Sequence, residues 1–432
     1  MTAARAPLPL HRTLAYGALG LPLAMAALPM YVYLPQLYAQ AGGMSLGLLG
    51  ALLLGARVAD AGIDPLLGAW ADRTRNRPLL VALALPFLAA GLFGLMHPPA
   101  TGAAAWLLLF MLITFFGFSL ATVAYQAWGA EVGGNAVGRT RLTASREGFG
   151  LLGVLLAAVL PGMLSPELGR GLSLLAWLYP PLLAGAAWLS WRGAPQATQA
   201  LHRPAAISLM QAWRNPRFAR LLAVFAVNGI AAALPATLVL FYVADVLRAP
   251  AWGGPFLAIY FLAGVLCLPL WVMLARRLGR MRAWAAGMLT ACAAFTGAYA
   301  LGSGDIWQFA LVCLLSGAAL GADLALPAAL LADIAEGEGD GGHARAGASF
   351  GWWNLVAKLN LALAAGLALP LLAWLGYRPG SVDDEARAAL AAVYCLAPLA
   401  LKLLAAALCW RWRFQLEDTM QETMEDKPGD RT

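Results

Sequence analysis

Long apolar runs, separated by short polar segments, follow one another along the whole sequence. Each run has roughly 20 to 30 residues, which is enough for a helix to cross a hydrocarbon core of about 30 Å. We place the runs at residues 13–40, 45–71, 78–97, 103–130, 140–166, 171–191, 218–247, 253–275, 282–302, 306–334, 344–375 and 386–411. The pattern predicts an all-α membrane protein with twelve transmembrane helices.

The longest polar interruption separates the sixth apolar run from the seventh. We therefore divide the chain into an N-terminal six-helix bundle at 1–191, a cytoplasmic linker at 192–217, a C-terminal six-helix bundle at 218–411 and a cytoplasmic tail at 412–432. A basic segment follows the second run and again the eighth, at the same place in each half. Internal repeats of this kind are a common building plan of secondary transporters, which bind substrate near the bilayer midplane.

Composition and charge agree with a membrane protein. Of the 432 residues, 61% are hydrophobic and 12% are charged, whereas soluble domains carry about 25% charged residues. The net charge of +7 reflects arginines that cluster after the even-numbered runs, and such segments face the cytoplasm under the positive-inside rule. We expect a multi-pass protein of the bacterial cytoplasmic (inner) membrane with both termini in the cytoplasm. Its partners are lipid and solute, and no nucleic acid is expected.

Residue types that carry enzyme chemistry are few and scattered. The five cysteines fall inside apolar runs without metal-ligand spacing, and the four histidines lie at run ends or in loops. This distribution offers no candidate for a catalytic triad or a zinc site. The sequence therefore predicts a protein that is not an enzyme and needs no cofactor apart from a coupling ion.

Five ionisable residues stand out inside the apolar runs. Arg57, Asp60 and Asp64 share one face of the second run, Asp323 lies in the tenth, and Lys358 lies midway along the eleventh. An ionisable side chain at the bilayer centre costs about 2.5 to 3.5 kcal/mol, so such residues usually face a partner or a cavity. A static ion cluster would explain them, but two acids on one face also suit a proton or a hard cation.

Several motifs, in the right order along nearly the whole chain, carry a family resemblance. Ala56-Arg-Val-Ala-Asp-Ala-Gly-Ile-Asp-Pro65, Tyr125-Gln-Ala-Trp-Gly-Ala-Glu131 and Phe350-Gly-Trp-Trp-Asn-Leu-Val-Ala-Lys358 resemble helices 2, 4 and 11 of the glycoside-pentoside-hexuronide cation symporters. These are the melibiose-carrier branch of the major facilitator superfamily. The resemblance implies the major facilitator fold and a transporter that works by alternating access.

The resemblance also assigns roles to the buried charges. It implies that Asp60 and Asp64 are ligands of the coupling cation, and ligands of a metal only if that cation is Na⁺. It implies that Lys358 lies close to them and takes part in coupling, with Arg57 as a further coupling residue or a counter-charge. Arg146, at the start of the fifth run, matches an arginine of that family's central polar site.

The chain departs from the melibiose carrier at three places. Ile63 replaces an asparagine, which removes a side-chain oxygen and favours H⁺ over Na⁺. The sugar-gripping aspartate of helix 1 is replaced by the segment at 20–24, and the aspartate and tryptophan of helix 4 are replaced by Thr122 and Gln126. Substrate binding must then rest on other side chains. The candidate substrate-binding residues are Arg146, Thr122, Gln126, Asn228, Asp323, Trp352 and Trp353.

We therefore expect cation-coupled symport, by H⁺ or Na⁺, of a small solute, with sugars and glycosides as the leading class. The same span-2 aspartates occur in lysolipid carriers of this fold, so a lysolipid-like amphiphile is an alternative substrate. A receptor or scaffold that transports nothing is a remote alternative, because it leaves the buried charges without a role. The protein is expected to act as a monomer.

Overall fold

The structure is a computed structural model that describes residues 9–41, 44–74, 76–132, 136–194, 213, 215–336, 342–381 and 383–417. Across these ranges the chain is helical and contains no β-strand. Most of the predicted linker, at 195–212 and 214, and the tail beyond 417 lie outside the described residues. The described chain forms two compact units, and the boundary between them along the sequence falls after Arg203.

The first unit is built from eight helices. The first predicted span is divided into α1 (Leu10–Gly17), α2 (Gly20–Leu28), a π-helical turn (Pro29–Tyr33) and α3 (Leu34–Ala41). The remaining helices of this unit are α4 (Leu46–Arg73), α5 (Arg77–Leu95), α6 (Ala103–Val132), α7 (Ala136–Leu164) and α8 (Leu168–Gly193). Each of these five helices coincides with a predicted span to within a few residues.

The second unit is built mainly from six helices. They are α9 (Pro216–Phe241), which continues as a π-helical turn (Tyr242–Val246), α10 (Gly253–Leu278), α11 (Arg280–Tyr299), α12 (Ile306–Glu336), α13 (Gly342–Trp374) and α14 (Asp384–Glu417). Short parts of α10 and α13, at 253–255 and 369–374, group with the first unit. The helix α14 ends six residues later than the predicted span, because the polar segment after Cys409 continues the helix.

Eleven helical segments are long and apolar enough to cross a membrane. The segment missing from this set is α11, which has 20 residues. Its first turn carries Arg280 and Arg282, and alanine, glycine and threonine make up much of the rest. Those residues keep it below the hydropathy that the eleven segments reach. The helix nevertheless packs against α12 and α14 and contributes the fully buried Trp284 to the core of the second unit.

Local signals explain where two of the helices begin. Asn76 precedes α5, and its side-chain oxygen accepts a hydrogen bond from the Leu79 N–H at 3.1 Å. Asn215 precedes α9 and accepts from the N–H groups of Arg217 and Phe218 at 2.9 and 3.4 Å. A proline lies in the first turn of both helices, Pro78 in α5 and Pro216 in α9, where its missing N–H costs no helical hydrogen bond.

Close packing in the first unit depends on glycines that face backbone. A Cβ atom added at Gly20 would lie 2.5 Å from the Arg146 carbonyl oxygen, and one added at Gly153 would overlap the Leu21 carbonyl group. These contacts bring α2 directly against α7. They also give a physical reason for Gly20 at the start of the 20–24 segment, because a larger side chain cannot fit there without separating the two helices.

We expect Gly153→Ala to lower the melting temperature of the purified protein. Overpacking of this kind costs about 1 to 3 kcal/mol, which exceeds the gain of about 1 kcal/mol that alanine brings to a helix. Gly150→Ala is the matched control one turn away, because its added carbon would lie 3.5 Å from the Ala24 Cβ atom, an ordinary contact. Equal melting temperatures for the two variants would contradict this packing.

Two hydrogen bonds to one carboxylate hold the loop between α13 and α14 in the second unit. The Asp245 carboxylate, in the π-helical turn after α9, accepts the Tyr377 hydroxyl at 2.5 Å and the Gly380 N–H at 2.9 Å. Burial, and then the hydrogen bond to Asp245 and its negative charge, raise the pKa of Tyr377 above its ordinary value. The hydroxyl therefore remains protonated and able to donate. At another edge of the same unit, Arg280 pairs with Asp333.

Candidate functional site

The most deeply buried acid of the second span is Asp60, in the middle of α4. Its residue is only 4% exposed. One carboxylate oxygen accepts a hydrogen bond from the Ser119 hydroxyl of α6 at 2.9 Å. The other lies 3.7 Å from the Arg57 guanidinium, one turn earlier on α4. A buried carboxylate is tolerated only with such partners, so the sequence-predicted pair of Arg57 and Asp60 does meet in the structure.

Arg57 is held between two aromatic rings. Its guanidinium carbon lies 4.1 Å from the ring centre of Tyr31, in the first π-helical turn, and 4.1 Å from that of Phe115 on α6. Cation–π contacts of this kind are worth about 2 kcal/mol or more when desolvated. The positive charge beside Asp60 is therefore fixed in position by three separate segments of the first unit.

Asp64 lies one turn beyond Asp60 on the same helix and is partly exposed. On α6, Phe115, Ser119, Thr122 and Gln126 follow at helical spacing and so share one face. Helices α4 and α6 are the second and fourth spans and therefore run in the same direction. Asp64 lies about one turn after Asp60 on α4, and Thr122 lies about one turn after Ser119 on α6. We therefore expect Asp64 and Thr122 at about the same level. Gln126, a further turn along α6, is exposed. The polar face therefore continues beyond Asp60 towards solvent-accessible residues.

Arg146 lies near the start of α7, and its guanidinium donates to the Glu147 carboxylate at 2.6 Å. The Arg146 side chain is 21% exposed and that of Glu147 is 64% exposed. Close by, Tyr16 and Tyr125 each donate a hydroxyl to the other's backbone carbonyl group, and their rings stack at 4.6 Å. Arg146 therefore lies beside the ordered aromatic contact between the first and fourth spans.

Asn228 and Asp323, two of the candidate substrate residues, meet in the second unit. The Asn228 amide of α9 donates to one oxygen of the Asp323 carboxylate on α12 at 2.9 Å. The Trp284 indole of α11 donates to the same oxygen at 2.8 Å. The Lys402 ammonium of α14 donates to the other oxygen at 3.1 Å and to the Asn228 carbonyl oxygen at 2.9 Å. Four helices thus meet at one acid.

The remaining candidates all lie on α13. Lys358 is partly buried, two residues before the buried Asn360. Trp353 stacks on Phe225 of α9 with ring centres 3.6 Å apart, and Trp352 contacts Trp213 edge-on at 5.2 Å. Both tryptophans pack against the hydrophobic core of the second unit. Their predicted part in substrate binding, like that of Lys358 in coupling, stays a prediction.

Lys402, Trp284 and Ser119 contact the candidate acids but were not predicted as site residues. Lys402 had a usable signal, because it is one of only three lysines in the chain and lies inside the last apolar run, as Lys358 lies inside the eleventh. Ser119 and Trp284 gave no such signal, since serine and tryptophan are ordinary in a membrane helix and only the fold shows which acid each one contacts.

With this geometry established, comparison with known proteins identifies the class. Residues 14–418 match the family described as MFS/sugar transport protein. The chain belongs to this family of the major facilitator superfamily, as the sequence motifs predicted. It is therefore a multi-pass integral membrane transporter, and its described helices have the major facilitator fold. No curated protein matches the chain.

Solved structures of transporters share the fold at low sequence identity. A bacterial homologue of the human lysosomal transporter Spinster, inward-facing and unoccupied, is 16% identical with a TM-score of 0.71, covering 95% of this chain and 99% of that one. The nucleoside transporter NupG is 13% identical with a TM-score of 0.70, covering 94% and 98%. A D-xylose–proton symporter is 14% identical with a TM-score of 0.66, covering 93% and 96%. At this identity the likeness concerns the fold alone.

Proposed function

We propose that the protein is a cation-coupled symporter that carries a small hydroxyl-bearing solute, of the sugar or glycoside class, by alternating access. The observation that carries this proposal is the buried Asp60 carboxylate with Asp64 one turn away. The spanning part of α4 holds one positive side chain, Arg57, and two negative ones. The set therefore has a net charge of −1, which one proton or one monovalent cation neutralises.

The composition of this set favours a proton as the coupling ion. A hard cation needs several oxygen ligands, and Ile63 supplies none where the related carriers have an asparagine. The Ser119 hydroxyl hydrogen is used on Asp60, and Arg57 occupies the other side of that carboxylate. A proton needs only one carboxylate oxygen, so it is the ion that this set accommodates with least rearrangement.

Lys358 supplies the second part of the proposed coupling mechanism. By the family resemblance, its ammonium offsets part of the cost of the charge on Asp60 and Asp64 when no cation is bound. Cation binding then removes the need for the lysine and favours a different conformation, which is the basis of alternating access. We expect Lys358→Ala to slow uptake severalfold. We expect Lys358→Arg to restore little of it, because a rigid fork does not replace a compact charge.

The proposed function is tested with purified protein in proteoliposomes. Uptake of D-xylose, melibiose, uridine and lysophosphatidylcholine is measured under an imposed proton gradient, an imposed sodium gradient and no gradient. We expect one of the hydroxyl-rich solutes to accumulate under the proton gradient. Accumulation of the lysolipid alone would favour an amphiphile carrier, sodium-only accumulation would contradict the proposed ion, and no accumulation of any solute would contradict symport.

The proposed topology, with cytoplasmic termini, has its own test. Ser303 lies in an exposed turn between α11 and α12, which the positive-inside rule places outside the cell. We expect Ser303→Cys to react with a membrane-impermeant maleimide in intact cells, and Thr198→Cys in the linker to react only after permeabilisation. The native cysteines give little background, because four of the five are buried. Labelling of Thr198→Cys in intact cells would invert the topology.

A further inference from the structure

We infer that Lys402 is a positioning residue of the solute site, which aims the Asp323 carboxylate to accept a hydrogen bond from a hydroxyl group of the solute. This inference rests on the proposed function and assigns it a specific acceptor in the second unit. It concerns a side chain on α14 that the family resemblance gives no role.

The hydrogen bonds of Asp323 leave room for a solute. A carboxylate offers about four acceptor positions. Asn228 and Trp284 occupy two on one oxygen, and Lys402 occupies one on the other. One position therefore remains among the described contacts, on the oxygen that faces Lys402. The Asp323 side chain is 14% exposed, whereas that of Lys402 is 4% exposed, so the carboxylate is the accessible side of the pair.

Several hydrogen-bond donors together fix the orientation of the Asp323 carboxylate. Donors from α9, α11 and α14 all converge on Asp323, and Asn228 contacts both the acid and the ammonium. A group held by three donors cannot rotate to follow a solute, so it offers a fixed acceptor. Preorganised acceptors of this kind bind better because less ordering is needed when the ligand arrives.

Packing alone does not explain the pair. Replacing a buried ion pair by apolar residues of similar volume is often neutral or stabilising by about 1 to 4 kcal/mol. An apolar pair would therefore join α12 and α14 at least as well, and without the risk of an uncompensated charge. Among the described residues, Tyr260 on α10 lies within electrostatic range of Asp323, and Cys292 on α11 lies within range of Lys402. Neither supplies a charge that could replace Lys402 as the partner of Asp323.

The departures from the related carriers make such an acceptor necessary. The segment at 20–24 and Thr122 replace the acids with which those carriers grip a sugar, and Gly20 has no room for a side chain. A solute rich in hydroxyl groups still needs a strong acceptor, and hydrogen bonds to charged groups are the stronger kind. Among the described residues of the second unit, Asp323 is a partly buried acid that can supply it.

The test compares three variants of the full chain: Asp323→Asn, Lys402→Met and the double variant. Equilibrium binding of D-xylose and of uridine is measured with melting temperature. We expect each single variant to have a lower melting temperature than the wild type. We also expect each to bind the wild-type probe about 10- to 100-fold more weakly, because a hydrogen bond to a charged group is lost. We expect the double variant to recover its melting temperature but not its affinity. Asp384→Asn, at a side chain that is 94% exposed, is the matched control.

Double-variant affinity equal to that of the wild type would overturn the inference, because the pair would then serve packing alone. A second readout does not depend on any solute. Infrared difference spectra between the wild type and Asp323→Asn should contain the bands of the Asp323 carboxyl group, and Lys402→Met should shift these bands because the group loses a hydrogen-bond donor. Unshifted bands in Lys402→Met would refute the inference. If the infrared bands behave as expected but gradient-driven uptake fails, the result rejects symport instead of this inference.

Discussion

Asp60→Asn is expected to abolish accumulation of the solute against its gradient while the folded protein remains in the membrane. Asparagine keeps the shape of the side chain and can still accept the Ser119 hydroxyl, but it cannot take up a proton or balance a cation. Binding of the coupling ion is then no longer linked to binding of the solute, so the ion gradient can no longer drive accumulation of the solute. Asp64→Asn is expected to have the same effect, since both acids contribute to the net charge of the set.

The measurement for these variants is the ratio of internal to external solute at steady state in proteoliposomes with a proton gradient. We expect a ratio well above one for the wild type and a ratio of one for both variants. Asp384→Asn makes the same chemical change at an exposed site and should keep the wild-type ratio. Accumulation by either the Asp60 or the Asp64 variant would remove that residue from the coupling site.

Arg57→Ala is expected to have the largest effect on stability. This change removes the guanidinium that pairs with Asp60, and it also removes the cation–π contacts with Tyr31 and Phe115. Breaking a buried ion pair by removing one member costs about 3 to 5 kcal/mol, because a charge is left uncompensated. The purified variant should therefore melt several degrees earlier than the wild type.

Two comparisons make the Arg57 prediction specific. Arg387→Ala removes the same side chain from a pair whose acid, Asp384, is 94% exposed, and exposed pairs contribute only about 0 to 1 kcal/mol. The double variant Arg57→Ala with Asp60→Asn should regain part of the lost stability, because the buried negative charge is gone. If the single changes add strictly in the double variant, Arg57 and Asp60 do not interact.

The spans could be predicted from sequence because a membrane imposes a simple constraint on helices. Every backbone group must be satisfied within the segment, so length and hydropathy suffice to place α4 to α10 and α12 to α14. The breaks in the first span were not foreseen. Tyr33, the last residue of the π-helical turn at Pro29–Tyr33, donates its hydroxyl to the Ala158 carbonyl oxygen at 2.7 Å, a contact between residues far apart in sequence.

In the candidate site too, contacts within one helix could be predicted from sequence, whereas contacts between helices could not. The meeting of Arg57 and Asp60 was predictable, because residues three apart on one helix are neighbours. The Tyr31 and Phe115 rings around Arg57 were not, since they come from two other segments. In the second unit, Asn228 and Asp323 were named separately from the resemblance and from the cost of a buried charge. Only packing of four helices reveals that Lys402 joins them.

The central claim is that ion binding at Asp60 drives solute transport, and one experiment separates that claim from simple permeation. Wild-type and Asp60→Asn proteoliposomes are loaded with the solute that the uptake panel identifies, and both net accumulation under a proton gradient and exchange of labelled for unlabelled solute without a gradient are measured. The account predicts that the wild type does both, and that the variant still exchanges solute but accumulates none. Undiminished accumulation by Asp60→Asn would contradict it.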